Sequence, residues 1–462
     1  MAEDAAGVDE TLLAELEAAL ADGAPGRVRA RIGALHGADQ AEFLRYLPPE
    51  LRESFVDRLE DVLDPEFLSY VDEEFRADLV RSLGPERTAT ALANLETDDA
   101  IDFLEELDDA QQLQVLAALP LSERQEVEKS LQYAEDSAGR LMQRAFVALP
   151  DYWVVGQAID YLRNHPELPD DFYDIYLVSP RFEPVGSIPL SMVLRSVRST
   201  PLRQLRTKDL HLVPAHDDQE DVARTFRKYG LVSAPVVAER GRLIGVITVD
   251  DVVHVIEEEA EEDILKLGGV SESDTLRPLG STIKKRQPWL VVNLATAILA
   301  ASVIAQFEAS IEAIVALAVL MPIVASMGGN CGSQTLTIMV RGLATGEITA
   351  ANAGRVLRKE LVVGVAHGTT FLVLGAIVSL VWFGYPELAL VFGLALFVTL
   401  AFSALVGVLI PLALQRLKID PAVASAVFVT TVTDVFGFFT FLGVATLVLF
   451  RLHATDVLDL DL

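Results

Sequence analysis

Three groups of residues in this chain are equipped for ionic chemistry. The first centres on Asp434, in Phe428-Val429-Thr430-Thr431-Val432-Thr433-Asp434-Val435-Phe436-Gly437. A carboxylate within so apolar a run is costly unless it meets water or a cation. Thr430 lies four residues earlier and shares its helix face. An acid with hydroxyl and carbonyl oxygens one turn away is a hard-oxygen set suited to a hydrated divalent cation; the plainer reading is a hydrogen bond between helices. The second group is Met327-Gly328-Gly329-Asn330-Cys331-Gly332-Ser333-Gln334-Thr335. Its glycines let a helix unwind or let two backbones approach closely. Polar or non-helical backbone at membrane depth is tolerated only against protein or water. The stretch is therefore expected to interrupt its span, with Asn330, Gln334 and Thr335 bordering an aqueous path; the alternative is a helix-packing face. The third group is acidic: Leu95-Glu96-Thr97-Asp98-Asp99-Ala100-Ile101-Asp102, Asp250-Asp251, and Glu257-Glu258-Glu259-Ala260-Glu261-Glu262-Asp263. Such runs are usually solvated faces or helix-start acids. Acids at this density nevertheless repel unless cations screen them. A divalent ion bridging two of them would tie domains together, and its loss would let them part, which is a ligand switch.

The elements that must position these residues divide the chain in two. It carries a net charge of −30, yet 51% of its residues are hydrophobic and its mean hydropathy is +0.35. From Ile283 onward there are ten acidic and ten basic residues, so the whole excess of acid lies in residues 1–282. An acidic soluble half is joined to a neutral, apolar membrane half. This argues against a simple globular enzyme and against a nucleic-acid binder with a basic face. Cys331 is the single cysteine, which excludes a disulfide scaffold.

Five stretches are long and apolar enough to span a bilayer: Pro288–Phe307, Ile311–Met327 continuing past the Gly-rich segment to Val340, Leu361–Phe383, Leu388–Leu414 and Ala422–Phe450. Lys284, Lys285, Arg286, Arg341, Arg355, Arg358, Lys359, Arg416 and Lys418 fall on one side. The opposite loops hold Glu308, Glu312 and Glu387, and only Arg451 breaks the bias. The excess of basic residues places the amino terminus in the cytosol and the carboxy terminus outside. Met1–Asp4 is acidic with no apolar run behind it, so no secretory leader is expected. His367 in the third span reads as a packed, hydrogen-bonded side chain.

In the soluble half, residues 25–135 read as helices punctuated at Leu47-Pro48, Gly84-Pro85 and Leu119-Pro120, a spacing that suggests stacked hairpins in a short superhelix. From Ala138 to Glu262, strands alternate with helices. Val236–Thr248 reads as strand, Gly turn and strand, preceded by an amphipathic helix over Asp218–Tyr229 and followed by a helix from Val249. A less regular copy runs from Val155 to Leu194, and two such units suggest an internal pair. There is no nucleophile elbow, phosphate loop, zinc-spaced His/Cys set or His/Asp pair near a Ser, so a membrane-bound enzyme is disfavoured. Lys is scarce, with eight against 29 Arg, and acids coat segments that carry no motif. Most of the charge is thus expected to be a general surface coat suited to strong screening.

These residues together resemble the MgtE family of magnesium channels and transporters over roughly Gly37–Phe450. The stretches that carry the resemblance are Tyr133–Met142, Asp218–Ala223, Thr248–Val252, Glu257–Asp263, Gly328-Gly329-Asn330 with Arg341–Ala344, and Asp420-Pro421-Ala422 with Thr430–Asp434. The resemblance implies a homodimer in the plasma membrane. The implied fold is an α-helical superhelical N domain, tandem CBS α+β domains, a connecting plug helix and a five-helix transmembrane domain. The implied division is an acidic flexible N-terminus (1–24), the N domain (25–135), CBS 1 (136–200), CBS 2 (201–262), plug (263–287), pore domain (288–451) and tail (452–462). It further implies a Mg2+-gated Mg2+ channel whose pore lies on the subunit interface. Asp434, the Thr430 carbonyl and Asn330 would line that pore. Regulatory Mg2+ would bind Asp99, with Asp98 and Asp102 as alternatives, together with Glu220, Asp251, Glu259, Glu262, Asp263 and Asp420. Adenine nucleotide at the CBS pair is a further implied ligand, with no phosphate loop to support it. The competing reading is a less selective divalent-cation transporter (Co2+, Mn2+, Ni2+), with or without proton coupling through Asp434. One departure stands out: relatives commonly read Lys-Tyr-Asp-Leu where this chain has Lys228-Tyr229-Gly230-Leu231, which removes one carboxylate. The first CBS unit also diverges around Ser179–Ser187.

Overall fold

The computed structural model describes residues 10–23, 26, 28–166, 168–169, 171–207, 209–270 and 279–459. Two compact units result, 1–257 and 258–462.

The first unit begins with helices broken where the sequence places proline. One helix over Gly37–Tyr46 stops before Pro48, and the next runs over Pro49–Leu59. The same break recurs between Glu73–Leu83 and Pro85–Leu92, and between Asp109–Ala118 and Leu121–Ser130. Proline is compatible with a first helical turn and not with an interior one, which fixes these joints. One apolar core runs through all these helices, with Ile32, Leu44, Phe55, Leu59 and Phe103 fully buried. Residues 10–21, expected to be flexible, instead form a helix over Glu10–Ala21. Its Leu12, Leu16, Ala19 and Leu20 recur at helical spacing and are buried in the same core, which outweighs the acidity of its other face.

Two small sheets follow, and they repeat one another. In the first, Ala148–Pro150 pairs in parallel with Asp174–Val178, which pairs antiparallel with Pro184–Pro189. In the second, Val213–Pro214, Ser233–Val237 and Leu243–Thr248 are joined in the same order and sense. Each has a register shift at the end of its middle strand. The amphipathic helices Val155–Asn164 and Gln219–Tyr229 bridge the parallel strands. The divergence of the first copy has a local form: Phe182 takes the left-handed turn position (φ 61°) that Gly241 holds in the second (φ 75°). The Phe182 carbonyl also accepts from Leu243 N, and Arg242 lies over its ring, so the residue fastens one sheet to the other.

The second unit contains five helices long and apolar enough to cross a membrane: Leu279–Ala305, Ala316–Ala344, Ala353–Phe383, Pro386–Arg416 and Pro421–Asp459, the first to fifth spans below. A connecting helix over 263–287 is not what the described residues form. The helix that leaves the second sheet, Val249–Leu267, ends in a turn at Gly268-Gly269, with Gly269 left-handed (φ 74°) and Val270 N donating to Leu265 O. Residues 271–278 of the expected plug lie outside the described residues, and the next described helix is Leu279–Ala305.

The second span is continuous through Gly328-Gly329-Asn330, so the expected interruption is absent. Its glycines serve close packing instead. A Cβ on Gly328 would lie 2.8 Å from Thr399 Cγ2, and one on Gly332 would lie 2.7 Å from Val429 Cγ1. From the fourth span, a Cβ on Gly407 would meet the Gly332 carbonyl oxygen and Thr335 Cβ at 2.8 Å. Without a hydrophobic drive between helices in lipid, such small-residue seams let dispersion hold them together.

Candidate functional site

The acids of the first unit are sorted by what faces them. The helix Thr97–Glu105 presents Asp98, Asp99 and Asp102. Asp102 is taken: the buried Arg76 guanidinium donates to its Oδ2 and to its main-chain carbonyl, each at 2.7 Å. Asp98 has the opposite fate. It is 7% exposed, and both of its carboxylate oxygens are buried without a hydrogen-bond partner. Burial pushes its pKa well up, and the charge of Asp251 adds most to that. Asp99, half-buried beside it, is raised to about 7 by burial and then by Asp251 and Glu96. Asp251 itself is raised to about 6 by burial, against the pull of a 2.7 Å hydrogen bond from Thr248 Oγ1 and of the Asp98 carboxyl that faces it. Gln143 ties the group together, donating to Glu96 Oε2 (3.1 Å) and Thr248 Oγ1 (3.4 Å).

Such a cluster is electrostatically incomplete, since buried ionised carboxylates require a proton or a cation. Among the described residues no three carboxylate, imidazole or thiolate groups converge into a ready-made cage. Mg2+ keeps several waters and needs only one or two direct carboxylates. Asp98 facing Asp251, with no basic group between them, therefore suits a hydrated divalent ion. Asp98 was one of three alternatives on sequence grounds. What singles it out is Arg76, distant in sequence, which neutralises Asp102. Glu220, by contrast, pairs with Arg224 on its own helix (3.2 Å).

In the second unit, Glu262, Asp263 and Asp420 are brought together around a basic residue that sequence reasoning did not single out. Lys266 Nζ lies 2.5 Å from Glu262 Oε1 and 2.8 Å from Asp420 Oδ2. Asp420 caps the fifth span, its Oδ1 accepting from Ala422 N. Burial and then Asp420 raise the pKa of Asp263, while Lys266 works against them. Glu259 is half-buried one turn before Asp263. Leu267 packs against a cluster containing Leu336, Val340, Ala422 and Val429, which joins the end of this helix to the second and fifth spans.

Within the membrane part, Asp434 is half-buried on the fifth span. The Thr430 hydroxyl donates back to the Ala426 and Val427 carbonyls, and its own carbonyl accepts from Thr433 Oγ1 (3.0 Å). Thr433 is fully buried. Asp434, one residue on, is turned about 100° away from it. On the second span Asn330 and Gln334 are exposed, in line with Ser326, Thr337 and Arg341 at helical spacing. Thr335, expected beside them, is buried against Gly407. His367 is exposed rather than packed, because Gly364 and Gly368 take the face against the fourth span. The third span starts early enough to include Glu360, which is 4% exposed.

Comparison with known proteins accounts for most of the chain. Residues 321–444 match the divalent cation transporter model MgtE, residues 35–136 the MgtE intracellular N domain, and residues 202–258 a CBS domain. The crystallised cytosolic domain of the Mg2+ channel MgtE in complex with ATP is 30% identical, with a TM-score of 0.49, over 53% of this chain and 99% of that one. The magnesium transporter MgtE of Thermus thermophilus is 33% identical over 96% of this chain and 99% of its own length. That of Bacillus subtilis is 30% identical over 92% of this chain and 95% of its own. The chain belongs to the MgtE family, whose members are transporters and not enzymes.

Proposed function

We propose that the chain carries Mg2+ into the cytosol as a homodimer, through a pore on the subunit axis that cytosolic Mg2+ closes. The observation that carries this reading is the exposed polar line Ser326–Asn330–Gln334–Thr337 on a membrane helix whose other face is sealed by glycine packing. Such a line is tolerated at membrane depth only against water or protein. A second copy would enclose it. The first span, with Leu290, Leu294 and Ile298 each more than 60% exposed, supplies apolar surface for lipid or for that copy.

In this reading paired Asp434 carboxylates hold the ion through its waters, since Mg2+ gives up its hydration shell reluctantly. A negative interior drives entry, worth about 2.3 kcal/mol per charge per 100 mV. With the amino terminus cytosolic, Asp98, Asp99 and Asp251 form one regulatory site, and Glu262, Asp263 and Asp420 another. Ions there hold the gate shut, and at the first of these sites their loss leaves like charges to repel. Glu220 and Glu259 belong to the same proposal with less local support. Adenine-nucleotide binding by the two like sheets is a separate part of it, read out by ATP titration of the purified protein.

The test is divalent flux into liposomes holding the purified dimer. Asp434→Ala should abolish Mg2+ influx while the dimer persists on size-exclusion chromatography; normal influx sinks the pore assignment. Equal flux of Co2+, Mn2+ or Ni2+, or flux that tracks pH, would favour the broader or proton-coupled transporter.

A further inference from the structure

The acids at the end of the helix Val249–Leu267 already have a cation, and it belongs to the chain. Lys266 stands one turn beyond Glu262 and reaches both Glu262 (2.5 Å) and Asp420 (2.8 Å). Its side chain is only 19% exposed, so the ammonium is lodged between the carboxylates instead of extending into solvent. Asp420 is no ordinary surface acid, because its other oxygen caps the fifth span at Ala422 N. Asp434 lies on that same helix, about 20 Å further along at 1.5 Å per residue. The bridge thus couples the end of the cytosolic helix to the base of the helix that carries the membrane carboxylate. Beside it, Leu267 packs into the cluster of Leu336, Val340 and Val429, and a Cβ on Gly269 would collide with the Trp289 ring. Apolar contact and the ion pair therefore hold one segment at one place.

We propose that Lys266 is a tethered competitor for the cation that closes the gate: its ammonium occupies Glu262 and Asp420 when divalent ion is scarce and must be displaced for Mg2+ to take them. The inference rests on the regulatory reading above and deepens it. Two consequences follow from charge alone. Without Mg2+ the segment is not left to like-charge repulsion, because the lysine holds it loosely docked. With Mg2+, the ion must first break two contacts, so the closing concentration is higher than the carboxylates alone would set. An ammonium is a compact point charge on a flexible stem, suited to leave and return. Lys266 is in this sense a positioning residue for the gate and an affinity-setting one, not a ligand.

The experiment is hydrogen–deuterium exchange of the amides of residues 259–270 in the full-length protein in lipid nanodiscs, titrated with Mg2+. Lys266→Met keeps most of the apolar stem and removes the charge; Lys266→Arg keeps the charge. The wild type should show Mg2+-dependent protection with a defined midpoint. Lys266→Met should exchange faster without Mg2+, yet reach protection at about fivefold lower Mg2+, the scale of one partly exposed ion pair. Lys266→Arg should stay near the wild-type midpoint. A Lys266→Met midpoint equal to or above wild type overturns the competitor, whatever happens without Mg2+, since a merely structural bridge would change only that baseline. No Mg2+-dependent protection in the wild type overturns the regulatory reading itself, and the two failures are told apart by that single control.

Discussion

Asp98→Asn should make the first unit more stable, not less, at alkaline pH without divalent ions. Asp99 is held at about 7 against an ordinary 3.8, and Asp251 at about 6. At ~1.4 kcal/mol per tenfold change in proton affinity, ionising Asp99 costs the fold ~4 kcal/mol and ionising Asp251 ~3 kcal/mol, and the two are shared within one cluster, not additive. Asp98 is the most deeply buried member and is raised further by the others. Acids with raised folded pKa values leave stability intact below about pH 4 and remove it as pH climbs through the folded values, here about 6 and 7. The wild type should therefore lose protection between about pH 4 and pH 7. Asn keeps the shape and two polar groups but cannot ionise, so Asp251 and Asp99 should ionise more readily beside it. A gain of ~1–2 kcal/mol at pH 8 is expected, a fraction of the cost above because two charges remain. Mg2+ should do for the wild type what the substitution does: at a hundredfold excess over its dissociation constant it adds ~2.7 kcal/mol, and much less to the variant. The assay is amide exchange across residues 97–105 in the full-length protein, at pH 6 and pH 8, with chelator or with Mg2+. If Asp98→Asn loses protection at pH 8 in chelator, the carboxylate is satisfied in the fold and the argument for a cation there collapses.

Gly407→Ala should cost ~1–3 kcal/mol by overpacking, because the added methyl meets the Gly332 carbonyl at 2.8 Å and a backbone cannot step aside; a thermal melt of the purified protein equal to wild type would show the seam to be slack. Gly230→Asp should fold with a penalty of ~1–2 kcal/mol from its left-handed φ of 62°, since a Cβ there meets nothing within 4 Å. If the missing acid weakens one regulatory site, the same variant should shift Mg2+-dependent protection of residues 219–231 to lower Mg2+, and an unchanged midpoint would leave the departure at Gly230 without consequence. Lowering salt from 1 M to 0.1 M lengthens the screening distance from ~3 Å to ~10 Å, so the melting temperature of the acidic half should fall, whereas an insensitive melt would argue against a general acidic coat.

What sequence could show was set by distance along the chain. The joints at Leu47-Pro48, Gly84-Pro85 and Leu119-Pro120 are local chemistry, and they fall where expected. So do the paired sheets and five long apolar helices, because periodicity and length are also local. Gly328-Gly329-Asn330 was ambiguous for a physical reason: glycine permits both unwinding and close approach, and the choice is made by Thr399 and Val429 on other spans. The Leu12–Leu20 face carries helical spacing within an acidic segment, and burial of Leu12, Leu16 and Leu20 is what decides it. Glu360 lies just before the apolar run from Leu361, so hydropathy leaves it outside the span although the helix begins at Ala353.

The carboxylates themselves give the strongest reason to separate a sensor from a coat. Asp102, Asp420 and Asp98 differ in burial and in the charge that faces them, the first two being exposed and the last buried. Asp102 has a buried arginine, which is always charged and does not leave. Asp420 has a lysine, a point charge that can be exchanged for a stronger one. Asp98 has no basic partner, its buried oxygens facing only the Asp251 carboxyl group. Removing the partner of a buried charge is far more costly than never having placed the charge there. An arrangement that leaves one buried carboxylate next to another must therefore hold a proton or, at higher pH, take a cation from outside the chain. The order Asp102, Asp420, Asp98 is then an order of rising demand for an external cation, and Mg2+ protection should appear first at the helix Thr97–Glu105 and only at higher concentration around Lys266. Simultaneous protection of both segments in one exchange titration would refute that order.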